Sequence, residues 1–224
     1  VSALASPSNI DFYQALALHD TQAFCDVYRP QVLHPIHGYV PFIPHNYQAT
    51  LLDDLDAGGQ HVILKARQIG ISTTIMAHFL RLCMAHAGTM LCVSRKERTA
   101  VELVRIARDM ATRTATPLPI HITTDNKTEL AFNNGARIIA ETSSPETGRT
   151  FAASAVLVDE FAFLPWQEEM WRSLRPTVSR GARVIIPSTP DMEGDLFEQQ
   201  WREAQSGSSR WHAHRLPWAG RRSA

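Results

Sequence analysis

The sequence predicts an α/β protein: a three-layer sandwich with a mainly parallel sheet, added antiparallel strands and a small N-terminal helical subdomain. Three observations predict it. Val62-Ile63-Leu64 and Ala155-Val156-Leu157-Val158 are short unbroken apolar runs, the pattern of strands buried on both faces. Helical periodicity follows the strands at 61–65 and 89–93, and this βαβα alternation gives parallel strands with helices on the sheet's faces. Asn133-Asn134-Gly135, set between Leu130-Ala131-Phe132 and Ile138-Ile139-Ala140, reads as a hairpin turn that grafts antiparallel strands onto that sheet.

The 224 residues fit one large domain or two small ones, and 44% hydrophobic with 20% charged residues is a soluble globular balance. Net charge is zero, so no global basic field advertises nucleic acid. Residues 61–113 hold nine Lys/Arg against three Asp/Glu, a bias open to a DNA-facing surface or an ordinary solvated face. Cys25, Cys83 and Cys92 are odd in number and lack metal spacing, so buried free thiols in a reducing compartment are expected. No apolar run reaches membrane-spanning length and no basic-then-apolar leader opens the chain, which predicts a soluble, intracellular protein.

Taken in order, residues 1–9 read as a loose tail, and Ile10–Leu18 and Thr21–Tyr28 as short helices of a lid or arm covering 1–45. Four prolines make 29–45 irregular, and Asn46 is placed to cap a helix over Tyr47–Leu55. A strand at 61–65 and a helix at 72–86, ended by Gly88, precede the strand Thr89–Val93. Ser94-Arg95-Lys96-Glu97 has the form of a capping box, opening a helix with apolar positions 101, 104, 107 and 110. After the hairpin and the polar loop 143–150 comes the strand 155–158. Then follow a helix over Trp166–Val178 disturbed by Pro176, a strand at Arg183–Pro187, a helix over Asp195–Gln205 and a last strand at Trp211–Leu216. The core thus spans 46–216, and 217–224 is a tail or the start of a linker.

Two stretches carry chemistry. His61–Thr74 reads strand, tight turn, hydroxyl, helix, the form of a phosphate-binding loop. Turn N–H groups and a helix N-terminus face an anion, and a hydroxyl reaches magnesium. The standard G-x-x-x-x-G-K-[ST] pattern has lysine where this chain has Ile71, while Lys65 stands at the first glycine and Arg67 lies inside the loop. Either cation suits the β- and γ-phosphates, and the same residues also suit a plain strand-to-helix turn. In the second stretch, Asp159-Glu160 follows a buried strand at the sheet edge where open α/β folds bind ligands. The first carboxylate suits a magnesium shell and the second an attacking water. Tyr47-Gln48 at a helix start offers a flat wall and a donor–acceptor pair for adenine, against the plainer reading of a packing tyrosine and a surface glutamine. Ser188-Thr189-Pro190 sets small polar groups at the same edge. His212 and His214 alternate along the last strand, without the third ligand a metal site needs.

Tyr47-Gln48, Arg67-Gln68-x-Gly70-x-Ser72, Val156-Leu157-Val158-Asp159-Glu160 and Ser188-Thr189-Pro190, in that order, resemble the ATPase domain of the large terminase subunit. That subunit is the DNA-packaging motor of tailed bacteriophages. The likeness covers about residues 40 to 216, and a more distant one links the chain to superfamily-two helicases. It implies a P-loop NTPase of the ASCE type, with the 183–187 strand between the P-loop and Walker B strands. It implies ATP and Mg2+ as cofactors and Gln48, with Tyr47, as the adenine motif. Lys65, Ala66, Arg67, Gln68, Ile69, Gly70, Ile71, Ser72 and Thr73 become the variant Walker A loop. Ser72 and Asp159 would hold magnesium, Glu160 would be the catalytic glutamate, and Ser188 and Thr189 would form the coupling motif. Arg149, after Gly148, matches an arginine finger offered to a neighbouring subunit, although pairing with Glu146 is equally open to it. The implied partners are double-stranded DNA, the portal protein, the small terminase subunit and further copies in a ring, with no membrane. The implied location is the host cytoplasm at the procapsid portal vertex. Such subunits usually continue into a nuclease domain, so with the chain ending at Ala224 no DNA cutting is expected of it. The rival readings are a helicase-like, nucleic-acid-stimulated ATPase and a non-hydrolysing DNA-binding or assembly module with a decayed loop. The direction of Lys65, toward phosphate or toward solvent, separates the last from the others.

Overall fold

The computed structural model describes residues 7–147, 152–190 and 194–217. Its elements run α1 (Pro7–Leu16), α2 (Thr21–Tyr28), β1 (Gln31–His34), β2 (Gly38–Pro41), α3 (Asn46–Ala57), β3 (Gln60–Lys65), α4 (Ile71–Ala85), β4 (Thr89–Ser94) and α5 (Glu97–Thr112). They continue with β5 (Ile122–Asp125), β6 (Glu129–Phe132), β7 (Arg137–Thr142), β8 (Ala153–Val158), a 3-10 turn at Phe161–Phe163, α6 (Gln167–Ser179), β9 (Arg183–Ser188), α7 (Leu196–Ser206) and β10 (Trp211–Leu216).

The main sheet has the order β10-β3-β9-β8-β4-β7-β6-β5. All pairs from β10 to β7 are parallel, and β9 stands between β3 and β8 as the resemblance implies. The sequence reading made both arms of the 130–140 hairpin antiparallel additions. Instead β7 is parallel to β4 and belongs to the core, and β6 alone runs against the rest. Alternation along each strand feeds two separate cores, which makes the sandwich three-layered. Ile63, Cys92, Leu157 and Ile185 face one side with Leu51, Phe79, Leu80 and Val104. Val62, Val93, Val156 and Ile186 face the other with Met170, Leu174, Phe197 and Trp201. Cys25, Cys83 and Cys92 are buried free thiols, as expected, and burial pushes Cys25 up to about 12.

Several local expectations are corrected. The proline-rich 29–45 stretch contains the β1–β2 ribbon, with Pro41 opposite Gln31. A two-stranded ribbon has an unpaired side, where the missing proline N–H costs no ladder bond. Helix α1 already begins at Pro7, inside the expected tail. His45, not Asn46, precedes α3 as its cap, because the Gln48 side chain accepts a hydrogen bond from His45 N at 2.9 Å. Ser94–Glu97 is not a capping box: Ser94 stays in the sheet opposite Thr142 and Lys96 holds the cap position without a side-chain bond. Helix α4 ends at Ala85 with His86 as its cap, short of Gly88. Helix α6 runs past Pro176 to Ser179, its last turn closed by Arg180 N on Thr177 O at 3.2 Å.

Helices α2, α3 and α4 are tied together by one buried polar cluster. Asp56 accepts from Thr21 N at 2.6 Å, Thr21 Oγ1 at 2.7 Å and His78 Nδ1 at 2.9 Å, and also from Arg81. Burial opposes ionisation of Asp56, but the bonds from His78 and Thr21 and the charge of Arg81 hold its carboxyl at about 2. Because that folded value lies below the ordinary 3.8, the stabilisation is complete above the ordinary value and is lost as pH falls toward 2. Asp56→Asn is expected to lower stability by about 3–5 kcal/mol near neutrality. It should also flatten the acid limb, as read by denaturant unfolding from neutral pH downward. An acid limb unchanged in the variant would refute this account of the cluster.

Candidate nucleotide-binding site

Strand β3 delivers the chain to Lys65, and residues 66–70 turn it back into α4. The turn needs left-handed backbone at two places, Gln68 (φ 60°) and Gly70 (φ 76°). At Gly70 that φ strains any side chain, and a Cβ would also come within 2.8 Å of Gln48 Nε2, so the Gln48 amide would have to shift. Thr74 N and Oγ1 both donate to Gly70 O at 3.0 Å, closing the first turn of α4 onto the loop. Ile71, in the standard lysine position, packs into the core at 2% exposure. A buried cation stands on the strand side instead. Lys65 is 8% exposed, and its Nζ donates to Glu160 Oε1 at 2.7 Å, so it points across the sheet edge and not into solvent.

Asp159 extends β8 by one residue through its N–H on Val93 O at 2.8 Å. Its carboxyl is buried and its Oδ1 has no hydrogen-bond partner among the described residues. Burial pushes it up to about 6, against the pull of Lys65 and of a hydrogen bond with the Ser72 side chain. Glu160 then leaves the sheet in left-handed backbone, φ 52° and ψ 49°, a conformation that costs a non-glycine residue on the order of 1–3 kcal/mol. Its second oxygen faces Thr189 N at 3.4 Å and Ser188 Oγ at 3.5 Å. Ser188 is fully buried and accepts from Ala162 N at 3.1 Å, while Thr189 Oγ1 is buried without a partner among the described residues. Because β9 lies between β3 and β8, its end brings Ser188 between Lys65 and the two carboxylates.

Lys65, Ser72, Asp159, Glu160, Ser188 and Thr189 therefore converge on one edge, bordered by the 66–70 loop and the half-buried Thr73. Tyr47 and Gln48 reach the loop from α3: Tyr47 Oη and Gln48 Nε2 donate to Ile69 O at 2.7 and 3.3 Å. Arg67 is exposed on the turn. Gly148 and Arg149 lie outside the described residues. The sequence reading missed Gln167, whose amide donates to Ala162 O at 2.8 Å and accepts from Phe197 N at 3.3 Å. It bridges the turn after Glu160 to the start of α7, and a polar residue in a helix's first turn is too common to signal such a role. His212 and His214 are joined by His61, which stacks on both, and His214 Nε2 lies 3.0 Å from His61 Nδ1. Among the described residues no group of three His, Cys, Asp or Glu is arranged to hold a metal ion.

Magnesium on the edge site needs no such group, since it takes one or two carboxylates and completes its shell with phosphate and water. The unpartnered Asp159 Oδ1, with Ser72 on the same carboxyl, fits that requirement.

A family model described as terminase large subunit, T4likevirus-type, N-terminal, matches residues 62–219. Among solved structures, the Thermus phage P74-26 large terminase ATPase domain superposes with a TM-score of 0.64 at 16% identity, covering 78% of this chain and 81% of that one. The large terminase of bacteriophage HK97 gives 0.70 at 16% identity over 92% of this chain, which spans 45% of that protein. The large terminase of another thermophilic bacteriophage, in complex with ATP-gamma-S, gives 0.55 at 11% identity, covering 77% of this chain and 44% of that one. At these identities the likeness is one of fold.

Proposed function

The chain belongs to the family of terminase large subunits, T4likevirus-type, as an N-terminal domain, and from that premise we propose that it hydrolyses ATP to move double-stranded DNA in a viral packaging motor. The observation that carries the reading is the 2.7 Å pair between Lys65 and Glu160. It joins the phosphate loop to the acidic strand end across the sheet edge.

In this reading the loop amides and Lys65 take the β- and γ-phosphates. A γ-phosphate competes with Glu160 for the Lys65 ammonium. Glu160 is then released to orient the attacking water and accept its proton, while Thr189 N and Ser188 steady its other oxygen. Asp159 and Ser72 would hold magnesium, which supplies positive charge against the phosphates when bound. Ile71 in the lysine position fits this picture, because the ammonium enters from β3. Arg149 would complete the site on a neighbouring copy, neutralising charge that develops on the transferred phosphoryl group. The portal protein, the small subunit and a ring of copies at the procapsid vertex in the host cytoplasm are the setting this implies.

Magnesium-dependent phosphate release, followed over a range of protein concentrations, tests the proposal. A specific rate that climbs with concentration and is lost in Arg149→Ala is expected, since a finger given in trans needs assembly. A rate independent of both concentration and Arg149 would remove the finger. Absence of both ATP binding and hydrolysis would remove the ATPase reading itself.

A further inference from the structure

Glu160 stands in left-handed backbone, φ 52° and ψ 49°, which a non-glycine residue keeps only where its surroundings over-determine it. Asp159 N on Val93 O fixes the chain before it. The 3-10 turn Phe161–Phe163 fixes the chain after it, with Phe163 N donating to Glu160 O at 3.0 Å. Ala162, in the middle of that turn, is 2% exposed and gripped at both ends. Its N–H donates to Ser188 Oγ at 3.1 Å, and its carbonyl accepts from Gln167 Nε2 at 2.8 Å. The Ser188 hydroxyl is also the one that faces Glu160 Oε2 at 3.5 Å, so the place of Ala162 helps set where that hydroxyl points. The other half of the Gln167 amide is committed as well. Its Oε1 accepts from Phe197 N at 3.3 Å, in the first turn of α7. Asp195 accepts from Glu198 N at 2.7 Å in that same turn, so α7 keeps a cap of its own if Gln167 is lost.

We infer that Gln167 is a positioning residue for the catalytic glutamate: its bond to the Ala162 carbonyl locks the 161–163 turn and so keeps the Glu160 carboxylate in place for the attacking water. This rests on the ATPase reading above. Both ends of the Gln167 amide are spent on backbone, so it acts through the turn and not on the substrate. The position needs one donor and one acceptor on the same side chain, which an amide offers and an ionised carboxylate does not. Without the donor, a buried carbonyl loses its partner and the turn shifts to find another. The backbone at Glu160 then relaxes toward the ordinary regions, which swings its side chain away from Lys65, Ser188 and Thr189 N. A misplacement of about 1 Å at a reacting group is enough to cost roughly a hundredfold in rate. The phosphate loop follows β3, which β9 separates from β8, so nucleotide binding is little affected.

The test compares the wild type with three variants. Gln167→Leu removes both bonds. Gln167→Glu keeps an acceptor for Phe197 N but, ionised, has no donor for Ala162 O, and it keeps the test valid if Gln167→Leu folds poorly. Asp195→Ala weakens the start of α7 and leaves the turn alone. Steady-state hydrolysis of Mg-ATP is read beside amide hydrogen exchange of the nucleotide-free proteins at Ala162 and Phe163. Both Gln167 variants are expected to lower kcat by roughly tenfold to a hundredfold, with KM within about threefold of the wild type. Exchange at the two amides should quicken by about tenfold or more. Asp195→Ala should lower Tm and leave kcat and that exchange unchanged. A fall in kcat of the same size in Asp195→Ala would make the effect one of stability and overturns the proposal. So does a kcat within about threefold of the wild type in both Gln167 variants, or a loss confined to KM. Where the wild type binds ATP without turning it over, exchange decides: unchanged rates at Ala162 and Phe163 overturn the proposal and leave the ATPase reading standing. A wild type that neither binds nor hydrolyses ATP removes both.

Discussion

Glu160→Gln is expected to stop ATP turnover and to leave nucleotide binding in place. The substitution keeps shape and hydrogen-bonding oxygen, so Thr189 N and Ser188 Oγ retain a partner at the positions they now hold. What is lost is the basic oxygen. Removal of a positioned general base is expected to lower kcat by roughly 10²- to 10⁴-fold. A second consequence follows from burial. Lys65 is 8% exposed and its ammonium is paired with Glu160. In the variant that charge loses its hydrogen-bonded anion until phosphate arrives, with Asp159 the remaining carboxyl close enough to act on it. Nucleotide should therefore raise the Tm of Glu160→Gln more than that of the wild type, because the ligand replaces a missing partner as well as adding its own binding energy. Steady-state hydrolysis and thermal unfolding with and without Mg-ATP check both halves. Turnover close to wild type would exclude Glu160 as the base.

Lys65→Ala is the second large effect, with kcat expected to fall by roughly 10²- to 10³-fold, the scale for removing one preorganised donor to developing charge. Arg67→Ala, by contrast, should lose less than about tenfold, since an exposed charge in water is screened. From the sequence alone, Lys65 and Arg67 are equivalent candidates: both are cations, two residues apart, at the mouth of one loop. Burial separates them. Lys65 is enclosed and already reaches across to the acidic edge, whereas Arg67 lies on the exposed turn. Hydrolysis measured side by side in the two variants decides the matter, and equal losses would return Arg67 to the site.

The pieces legible in the sequence are those that depend on local periodicity or on short spacing. The buried runs at 62–64 and 155–158 specify strands because no surface strand tolerates continuous apolar residues. The helical repeat after Ser72 specifies α4, and Asp159-Glu160 after such a strand marks the ligand edge of an α/β sheet. The Asn133-Asn134-Gly135 turn was legible for the same reason, since Gly135 at φ 83° meets a requirement of the turn itself.

Other features were decided by residues far apart in the chain. Nothing within 130–142 says that β7 runs parallel to β4, because strand direction depends on the neighbour it pairs with. Ser94 looked free to cap a helix until Thr142 held it in the sheet. Nothing beside Gln48 says that His45 and Ile69 engage its amide, the latter from a loop 21 residues away. By itself the sequence determined the layers of this protein and which stretches meet at its working edge, since backbone period and side-chain polarity act within a few residues. Only the tertiary structure decided which polar atoms at that edge are already satisfied and which, like Asp159 Oδ1, have no partner among the described residues, because each hydrogen-bond partner is set by packing over the whole chain.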